Sequence, residues 1–324
     1  MQRKRDGLTS VGEVISDLSG PVKAIREDSP QSLHHFTRFD QVNQLVEASE
    51  GAADTGFMAR LMALCSLPRT NPGNRKEYKR VNGPYTLYMI AGGGNKLPFG
   101  NLPRLLLAWV CTEAVRTQTR NLILGSSLSG FMRELGIYHN SAGRGGVQTR
   151  LRNQMERLFR CQIELIHEHE YGKRFVASRI ADSGEFWWNF PRPQVPLLWE
   201  SKIELGEKFF NEIIQHPMPL DLNILKALKR SSLGLDLYIW VTYRTFSLKH
   251  PMRLSWRQLY RQFGVDPAKA ADKHTVDNFR TDCLRELKKI KTAWPDLNFA
   301  TARGVLILLP SEPAIAPTRP QIVE

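Results

Sequence analysis

Two segments of the chain carry polar and basic side chains at spacings that would place them on one side of a helix. In the first segment these residues are Thr149, Arg150, Arg152, Asn153, Arg157 and Arg160. In the second they are His274, Asn278, Thr281, Arg285, Lys288 and Lys289. Asparagine can pair with adenine and arginine with guanine in the DNA major groove, whereas lysine suits phosphate. The residue types therefore favour contact with double-stranded DNA.

Apolar residues recur on the opposite side of both segments. In residues 145–160 they are Val147, Leu151, Met155 and Leu158. In residues 273–291 they are Val276, Phe279, Cys283, Leu287 and Ile290. Spacings of three and four residues put each set on one buried stripe of a helix, so the polar sets face outward. Either helix alone is better explained as a solvated basic surface. Only the occurrence of two such helices in the same context favours DNA.

The shared context is an internal repeat with an offset of about 130 residues. Residues 102–110 and 233–241 are both apolar and carry a Trp-Val pair at the same place, which we assign to buried cores. Residues 127–137 and 255–265 both begin with a serine that can cap a short helix, and both reach a glycine where the chain must turn. The repeat therefore predicts, twice, a short helix, a turn and a longer basic helix.

Each copy continues into a candidate β-hairpin. Residues 163–167 would pair with 175–180, and residues 297–301 with 305–309. Helix, turn, helix and hairpin in this order are typical of a winged-helix domain, whose second helix can enter a major groove. The predicted fold class is therefore α+β and mainly helical, with two tandem winged-helix domains related by internal duplication and a flexible N-terminal arm.

Turn-forming and proline-rich stretches set the predicted domain boundaries. Residues 1–60 are polar with weak periodicity, which predicts the flexible arm. Residues 61–195 form the first predicted domain and 196–310 the second, because the proline-rich stretch 191–196 suits neither a helix nor a central strand. Residues 311–324 are predicted to be a disordered tail.

A third group of basic residues precedes the strand-like residues 85–90. Its members, predicted to lie in a loop, are Arg69, Arg75, Lys76, Lys79 and Arg80. We take the last four as possible phosphate contacts, with a solvated loop as the alternative that the sequence leaves open.

The composition favours a polyanionic partner and excludes several other classes. The chain has 45 Lys and Arg against 32 Asp and Glu, a formal net charge of +13, and a pI near 9.7. Its four cysteines are far apart, without the spacing of a disulfide framework or a zinc site, so we expect core thiols and no metal. No apolar run predicts secretion or membrane insertion. We therefore expect a cytoplasmic protein with no membrane contact and no cofactor.

Two motifs could suggest catalysis, and both fit poorly. His167, His169 and Tyr171 are residue types that a DNA-nicking enzyme uses with a metal, but Glu168 separates the histidines and the pair lies on a predicted wing strand. The glycine-rich residues 92–96 lack the spacing of an ATP-binding phosphate loop. We therefore predict no catalytic residue.

Six short motifs together carry a resemblance to a known family: LPRT (67–70), RVNG (80–83), YTL (85–87), LPFG (97–100), PRLLLAWV (103–110) and TRLRNQM (149–155). The similarity continues loosely from residue 219 to residue 261. On these motifs the sequence resembles the RepA-type plasmid replication initiators, the family of plasmid-encoded RepA proteins.

The resemblance implies a function that composition and spacing do not give. It implies binding to repeated sequences (iterons) at a plasmid origin, opening of the duplex, and recruitment of the host initiator, helicase and primase. By analogy with other initiators that have two winged helices, we expect a monomer–dimer equilibrium, in which the monomer binds the origin and the dimer represses its own promoter and so controls copy number. A tandem winged helix serves equally well as a transcriptional regulator or autorepressor with no part in replication, and that alternative stays open.

Overall fold

The structure is a computed structural model that describes residues 55–94, 96–137, 146–186 and 201–315, without the side chains of residues 126–129. We refer to residues 55–186 as the N-terminal half and to residues 201–315 as the C-terminal half.

Helices and strands alternate through both halves. The helices are α1 (Leu61–Leu64), α2 (Asn101–Thr117), α3 (Gly125–Glu134), α4 (Val147–Phe159), α5 (Glu207–Gln215), α6 (Leu222–Leu228), α7 (Ser232–Thr245), α8 (Trp256–Phe263) and α9 (Lys273–Ala293), with a 3-10 helix at Pro267–Ala271. The strands are β1 (Thr55–Ala59), β2 (Glu77–Asn82), β3 (Tyr85–Ile90), β4 (Asn121–Ile123), β5 (Gln162–His169), β6 (Gly172–Arg179), β7 (Ala181–Glu185), β8 (Lys202–Leu205), β9 (Pro217–Asp221), β10 (Met252–Ser255), β11 (Phe299–Ala302) and β12 (Val305–Leu308).

One order of elements occurs in both halves. The order α2, β4, α3, α4, β5, β6 in the N-terminal half matches α7, β10, α8, α9, β11, β12 in the C-terminal half. Both predicted hairpins are present, since β5 pairs with β6 and β11 pairs with β12. The chain therefore repeats a helix, a short strand, two helices and an antiparallel hairpin, at the positions where the sequence repeat lies.

The sheets around the two hairpins differ. In the C-terminal half, β12 lies between β10 and β11, so the hairpin pairs directly with the short strand of its own copy. In the N-terminal half, β5 pairs with β3 in a four-stranded sheet of order β2-β3-β5-β6. There β8 separates β4 from β7, the strand that continues from the hairpin after Ile180. The two halves thus share an order of elements but differ in sheet topology.

A single hydrophobic core joins the two halves. Trp109 on α2 and Trp240 on α7 are both buried, as the sequence predicted. At the same contact, Arg104 of α2 binds Asp236 of α7 in a bidentate pair with distances of 2.6 and 2.7 Å. The two long apolar helices therefore pack together and carry the repeated elements on either side.

The beginning of the N-terminal half differs from the expected flexible arm. Thr55–Ala59 forms β1, which is buried and pairs with β9. This strand was not predicted because its partner lies in the other half of the chain, and local periodicity carries no information about such pairing. Residues 1–54, the rest of the expected arm, lie outside the described residues.

Strand pairing joins segments on the two sides of the expected division at residues 195 and 196. The proline-rich stretch 191–196 lies outside the described residues. Beyond it, β8 was expected in the second domain but pairs with β4 and β7 of the N-terminal half. Residues 311–315, the last described, were expected to be disordered but contact the C-terminal half. Trp294 Nε1 donates a hydrogen bond to Glu312 O (3.1 Å), and Ser311 Oγ accepts one from Asn298 N (2.9 Å).

The predicted serine cap is present on α8 but not on α3. Ser255 caps α8 and forms a capping box with Gln258, as its type and position predict. Helix α3 instead begins at Gly125, so Ser127 lies inside the helix and is not its cap. Gly136 does end α3 in the left-handed region, with φ of 65°.

Candidate nucleic-acid interface

Helix α4 is positioned by the apolar stripe that the sequence predicted. Leu151, Met155 and Leu158 are buried, and Gly146 precedes the helix in an extended conformation. On the other side, Arg150, Asn153 and Arg160 are exposed, and Thr149 and Arg152 are half-buried. No ion pair joins Arg150 to another described residue, so its charge is available to an anion.

Arg157 has a structural contact that the sequence did not suggest. Its guanidinium lies over the Phe99 ring at 5.3 Å, and its Nη1 donates a hydrogen bond to Leu97 O (3.4 Å). Burial lowers the pKa of Arg157. Gln154 of the same helix accepts a hydrogen bond from Phe99 N (2.9 Å), so α4 uses part of its polar surface to hold the chain before α2.

The glycine-rich residues 92–94 form a turn against the end of α4. Gly93 and Gly94 have φ of 59° and 74°. A Cβ added to Gly92 would lie 2.0 Å from Arg160 O, so only glycine allows this close backbone approach. Close packing therefore explains Gly92, and the left-handed backbone explains Gly93 and Gly94.

Helix α9 also buries its predicted stripe. Asp272 caps it by accepting a hydrogen bond from Thr275 N (3.0 Å), and Phe279, Cys283, Leu287 and Ile290 face the core. The predicted DNA-facing residues His274, Asn278, Thr281, Arg285, Lys288 and Lys289 are all exposed. The Asn278 amide contacts the His274 ring at 3.1 Å, one turn earlier on the same side. The structure therefore brings this set together on one surface.

Two of the exposed α9 cations, Arg285 and Lys289, already have carboxylate partners. Arg285 pairs with Asp282 at 2.7 Å and lies 3.6 Å from Glu286. Lys289 pairs with Glu286 at 3.0 Å, and the Glu286 side chain is only 5% exposed. No ion pair joins Lys288 to another residue of the described chain. The positive charge on the predicted DNA-facing side of α9 is therefore partly neutralised within the helix.

The third basic group lies partly in a loop and partly on strand β2. Residues 77–82 form β2, whereas the sequence predicted a loop through Arg80. Arg75, Lys76 and Lys79 are exposed; Lys76 Nζ donates to Gly94 O (2.7 Å), and Lys79 lies over the Tyr88 ring at 5.1 Å.

The prediction that Arg80 contacts phosphate is wrong. It is 1% exposed because alternation along β2 turns it inward with Tyr78. Its Nε donates to Tyr78 OH (2.7 Å) and its Nη1 to Arg261 O (3.1 Å).

The hairpin tips add exposed residues that were not predicted as DNA contacts from the sequence. Arg303 lies at the turn between β11 and β12, followed by Gly304 with φ of 78°. Tyr171 lies at the turn between β5 and β6 and is 89% exposed. Lys173 and Arg174 follow it on β6, with Lys173 paired to Glu168 at 2.7 Å. Their place at the tips of predicted hairpins was the available clue.

The two histidines near Tyr171 have ordinary aromatic contacts. His167 stacks on Tyr85 with ring centres 4.7 Å apart, and burial, His169 and Arg174 lower its pKa. His169 Nδ1 accepts a hydrogen bond from Tyr171 N at 3.3 Å. In the described part of the chain, no group of three His, Cys, Asp or Glu residues is arranged to hold a metal.

The cysteines are buried and free, as expected from their spacing. Burial raises the pKa of Cys65, Cys111 and Cys161 to about 12 and also raises that of Cys283. Separately, none of the helices in the described ranges is both apolar and long enough to cross a bilayer.

Exposed basic helices that follow a turn, each in a copy of the same unit, are typical of DNA-binding proteins. A family model described as "Plasmid encoded RepA protein" matches residues 97–258. Because the match covers half of the chain, the protein belongs to the family of plasmid-encoded RepA proteins, a family of plasmid replication initiators.

Solved structures of RctB give weaker matches. The chain is similar to a crystal structure of selenomethionine derivatives of domains 2 and 3 of RctB, with 15% identity, a TM-score of 0.48, and coverage of 78% of this chain and 96% of that one. It is also similar to a second crystal structure of RctB domains 2–3, with 14% identity, a TM-score of 0.43, and coverage of 77% and 94%. No curated protein matches the sequence. The family assignment depends on the family match alone.

Proposed function

We propose that the protein binds double-stranded DNA repeats (iterons) at a plasmid origin, with α4 and α9 as the recognition helices of two winged-helix units. The observation that carries the proposal is the repeated order of elements, in which each copy exposes a basic helix beyond a turn. A helix in this position can enter a major groove while its hairpin lies beside the backbone. The net charge of +13 supports the same partner.

The C-terminal half supports the winged-helix interpretation most simply. Its hairpin pairs with the short strand before α8 in the order β10-β12-β11. Gly304 O, at the hairpin turn, accepts a hydrogen bond from Trp256 N (3.2 Å) at the start of α8. The hairpin is thus attached to the helix pair. The N-terminal half keeps the order of elements, and we interpret its four-stranded sheet as an enlarged wing.

Membership of the RepA family supports the wider role. In this proposal the bound protein helps to open the origin and recruits the host initiator, helicase and primase, without catalysing a reaction itself. A monomer would bind the origin and a dimer would repress the promoter of its own gene.

Competitive titration tests the DNA-binding proposal. A fluorescent origin duplex is competed with unlabelled origin DNA and with a shuffled duplex of the same length and composition. We expect the origin duplex to bind on the order of a thousandfold more tightly at physiological salt. Equal affinity for the two duplexes would refute sequence-specific binding.

Footprinting on the same DNA separates initiation from regulation. Protection of several directly repeated sites supports initiation, whereas protection of one inverted repeat at a promoter supports a transcriptional regulator. Supercoiled origin DNA incubated with magnesium checks the absence of catalysis. Nicking by the wild type that a Tyr171→Phe variant lacks would overturn the non-catalytic assignment.

A further inference from the structure

The C-terminal end of α8 is held by side chains of the other half. Ser66 and Arg69 lie between α1 and β2, and Arg80 lies on β2, all far from α8 in sequence. The hydrogen bonds run from Arg80 Nη1 to Arg261 O (3.1 Å), from Ser66 Oγ to Gln262 O (3.0 Å) and from Arg69 Nη1 to Phe263 O (2.9 Å). The last carbonyls of a helix have no partner within the helix and carry partial negative charge. Arg69 and Arg80 satisfy this charge from outside.

The turn after α3 is held in the reciprocal way. Lys229, between α6 and α7, donates from Nζ to Gly136 O (3.2 Å). A Cβ added to Gly136 would lie 2.4 Å from this Nζ, so the lysine packs directly on the turn. Asn101 of α2 fixes the lysine backbone by donating to Lys229 O (2.6 Å). Each half therefore holds, with a cation, the turn region of the other half.

Both contacts lie where the chain leads toward a proposed recognition helix. Gly136 ends α3, and α4 is the next helix. The end of α8 leads through the 3-10 helix into α9, and Tyr260 of α8 packs edge-on against Phe279 of α9 with ring centres 5.2 Å apart. A displacement of the α8 end would therefore carry α9 with it.

Stability alone is a poor explanation for the arginines. Burial of a guanidinium is costly unless every donor is satisfied. Arg80 is 1% exposed, and its Nη2 has no hydrogen-bond acceptor among the described residues. The buried Nε of Arg69 also lacks an acceptor in this part of the chain. The nearby carboxylate of Asp236 already forms an ion pair with Arg104. The arginines thus form directed contacts to α8 and leave some of their own donors unsatisfied.

We infer that Arg69, Arg80 and Lys229 are positioning residues that fix α4 and α9 relative to each other, and so set the spacing of the two DNA segments that the protein accepts. The spacing part of this inference rests on the proposed function. The geometric part concerns the protein without DNA and can be tested separately.

Spin-label distance measurement tests the geometric part. Labels on Glu134→Cys in α3 and Thr292→Cys in α9 report the separation of the two units, and both positions are exposed and outside the proposed DNA surface. The native cysteines are buried, so the labels attach selectively. We expect one narrow distance distribution in the parent chain, and a broadened or shifted one in the Arg69→Met/Arg80→Met and Lys229→Met variants. Arg230→Met, which changes the exposed residue next to Lys229, should keep the distance distribution of the parent chain.

DNA of altered spacing tests the second part. Insertion of about five base pairs between the protected segments turns one segment to the opposite side of the helix. We expect the wild type to lose about tenfold or more in affinity, whereas the methionine variants should lose less than about threefold, because their units reorient. A general folding defect would weaken binding equally at both spacings. Lys229→Arg should restore the wild-type preference.

The outcomes separate the two proposals. Absence of DNA binding by the wild type refutes the proposed function, while the distance result still decides the positioning role. Folded variants, checked by urea unfolding, that keep both the parent distance distribution and the parent spacing preference overturn the inference. If the double variant does not fold, Lys229→Met alone, with Arg230→Met as its control, carries the same test.

Discussion

The two exposed helices α4 and α9 differ in what their cations already contact. On α4 the only acidic residue is Glu156, and Arg150 pairs with no described carboxylate. On α9, Arg285 is paired with Asp282, and Lys289 is paired with Glu286. In the proposed complex, Arg285 and Lys289 must therefore each leave a carboxylate to contact DNA, whereas Arg150 and Lys288 do not.

This difference suggests a division of work between the helices. Exchange of a carboxylate for a phosphate gains little, but exchange for a matching base edge adds geometric specificity. We therefore expect α4 to contribute mainly to the attraction for DNA of any sequence, and α9 mainly to discrimination among sequences. The predictions that follow run from the largest expected effect to the smallest.

Truncation of the core tryptophans tests whether the two halves are one folding unit. Trp240→Ala and Trp109→Ala should each lower the free energy of unfolding by about 3–5 kcal/mol, because both side chains are fully buried. Since one core joins the halves, urea unfolding of either variant should remain a single transition. The exposed Tyr171→Ala variant is the control and should keep the parent midpoint. Separate transitions for the two halves would contradict the shared core.

Asn278→Ala tests discrimination by α9. Loss of a base contact should weaken cognate binding by about 1–3 kcal/mol and leave binding to random DNA almost unchanged. Titration of both duplexes measures this difference, with Asn211→Ala at an exposed position of α5 as the matched control. Equal losses on the two duplexes would remove Asn278 from the base-contact surface.

Arg150→Ala tests the general attraction of α4. Removal of one phosphate contact should weaken binding to all sequences and reduce the log-log salt slope by roughly 0.9. Lys289→Ala should reduce the slope less, since Glu286 already neutralises that lysine. Salt titrations of the two variants, with Arg230→Ala as the control, measure both slopes. A larger change for Lys289→Ala than for Arg150→Ala would reverse the comparison.

Asp282→Asn tests whether the carboxylates of α9 suppress non-specific binding. Loss of this partner leaves Arg285 with only the longer contact to Glu286 at 3.6 Å, and exposed ion pairs are worth about 0–1 kcal/mol. Binding to random DNA should therefore tighten by up to about fivefold, with a smaller gain on cognate DNA. Titration at low salt measures the ratio. A gain confined to cognate DNA would contradict suppression of non-specific binding by this pair.

Local pattern was sufficient for the helices and hairpins of the repeated units. The stripes of α4 and α9 were predicted correctly because three- and four-residue spacing reports which side of a helix is buried. Both hairpins were predicted because their strands are close in sequence. The exposure of the α9 set followed from the same periodicity.

Non-local pairing explains what the sequence analysis missed. The pairing of β1 with β9 and the position of β8 between β4 and β7 both join distant segments. Arg80 was misassigned because β2 was taken as a loop, so its two-residue alternation was not applied. The carboxylate partners of Arg285 and Lys289 are three residues away on α9, and helical spacing could have identified them.

Footprinting with paired variants tests the central claim most directly. On origin DNA, the wild type should protect two patches in each bound site, one for each exposed helix. Asn153→Ala should weaken one patch and Asn278→Ala the other, with the remaining patch kept in each case. Loss of the same single patch in both variants, or no change in either, would contradict the assignment of one DNA segment to each helix.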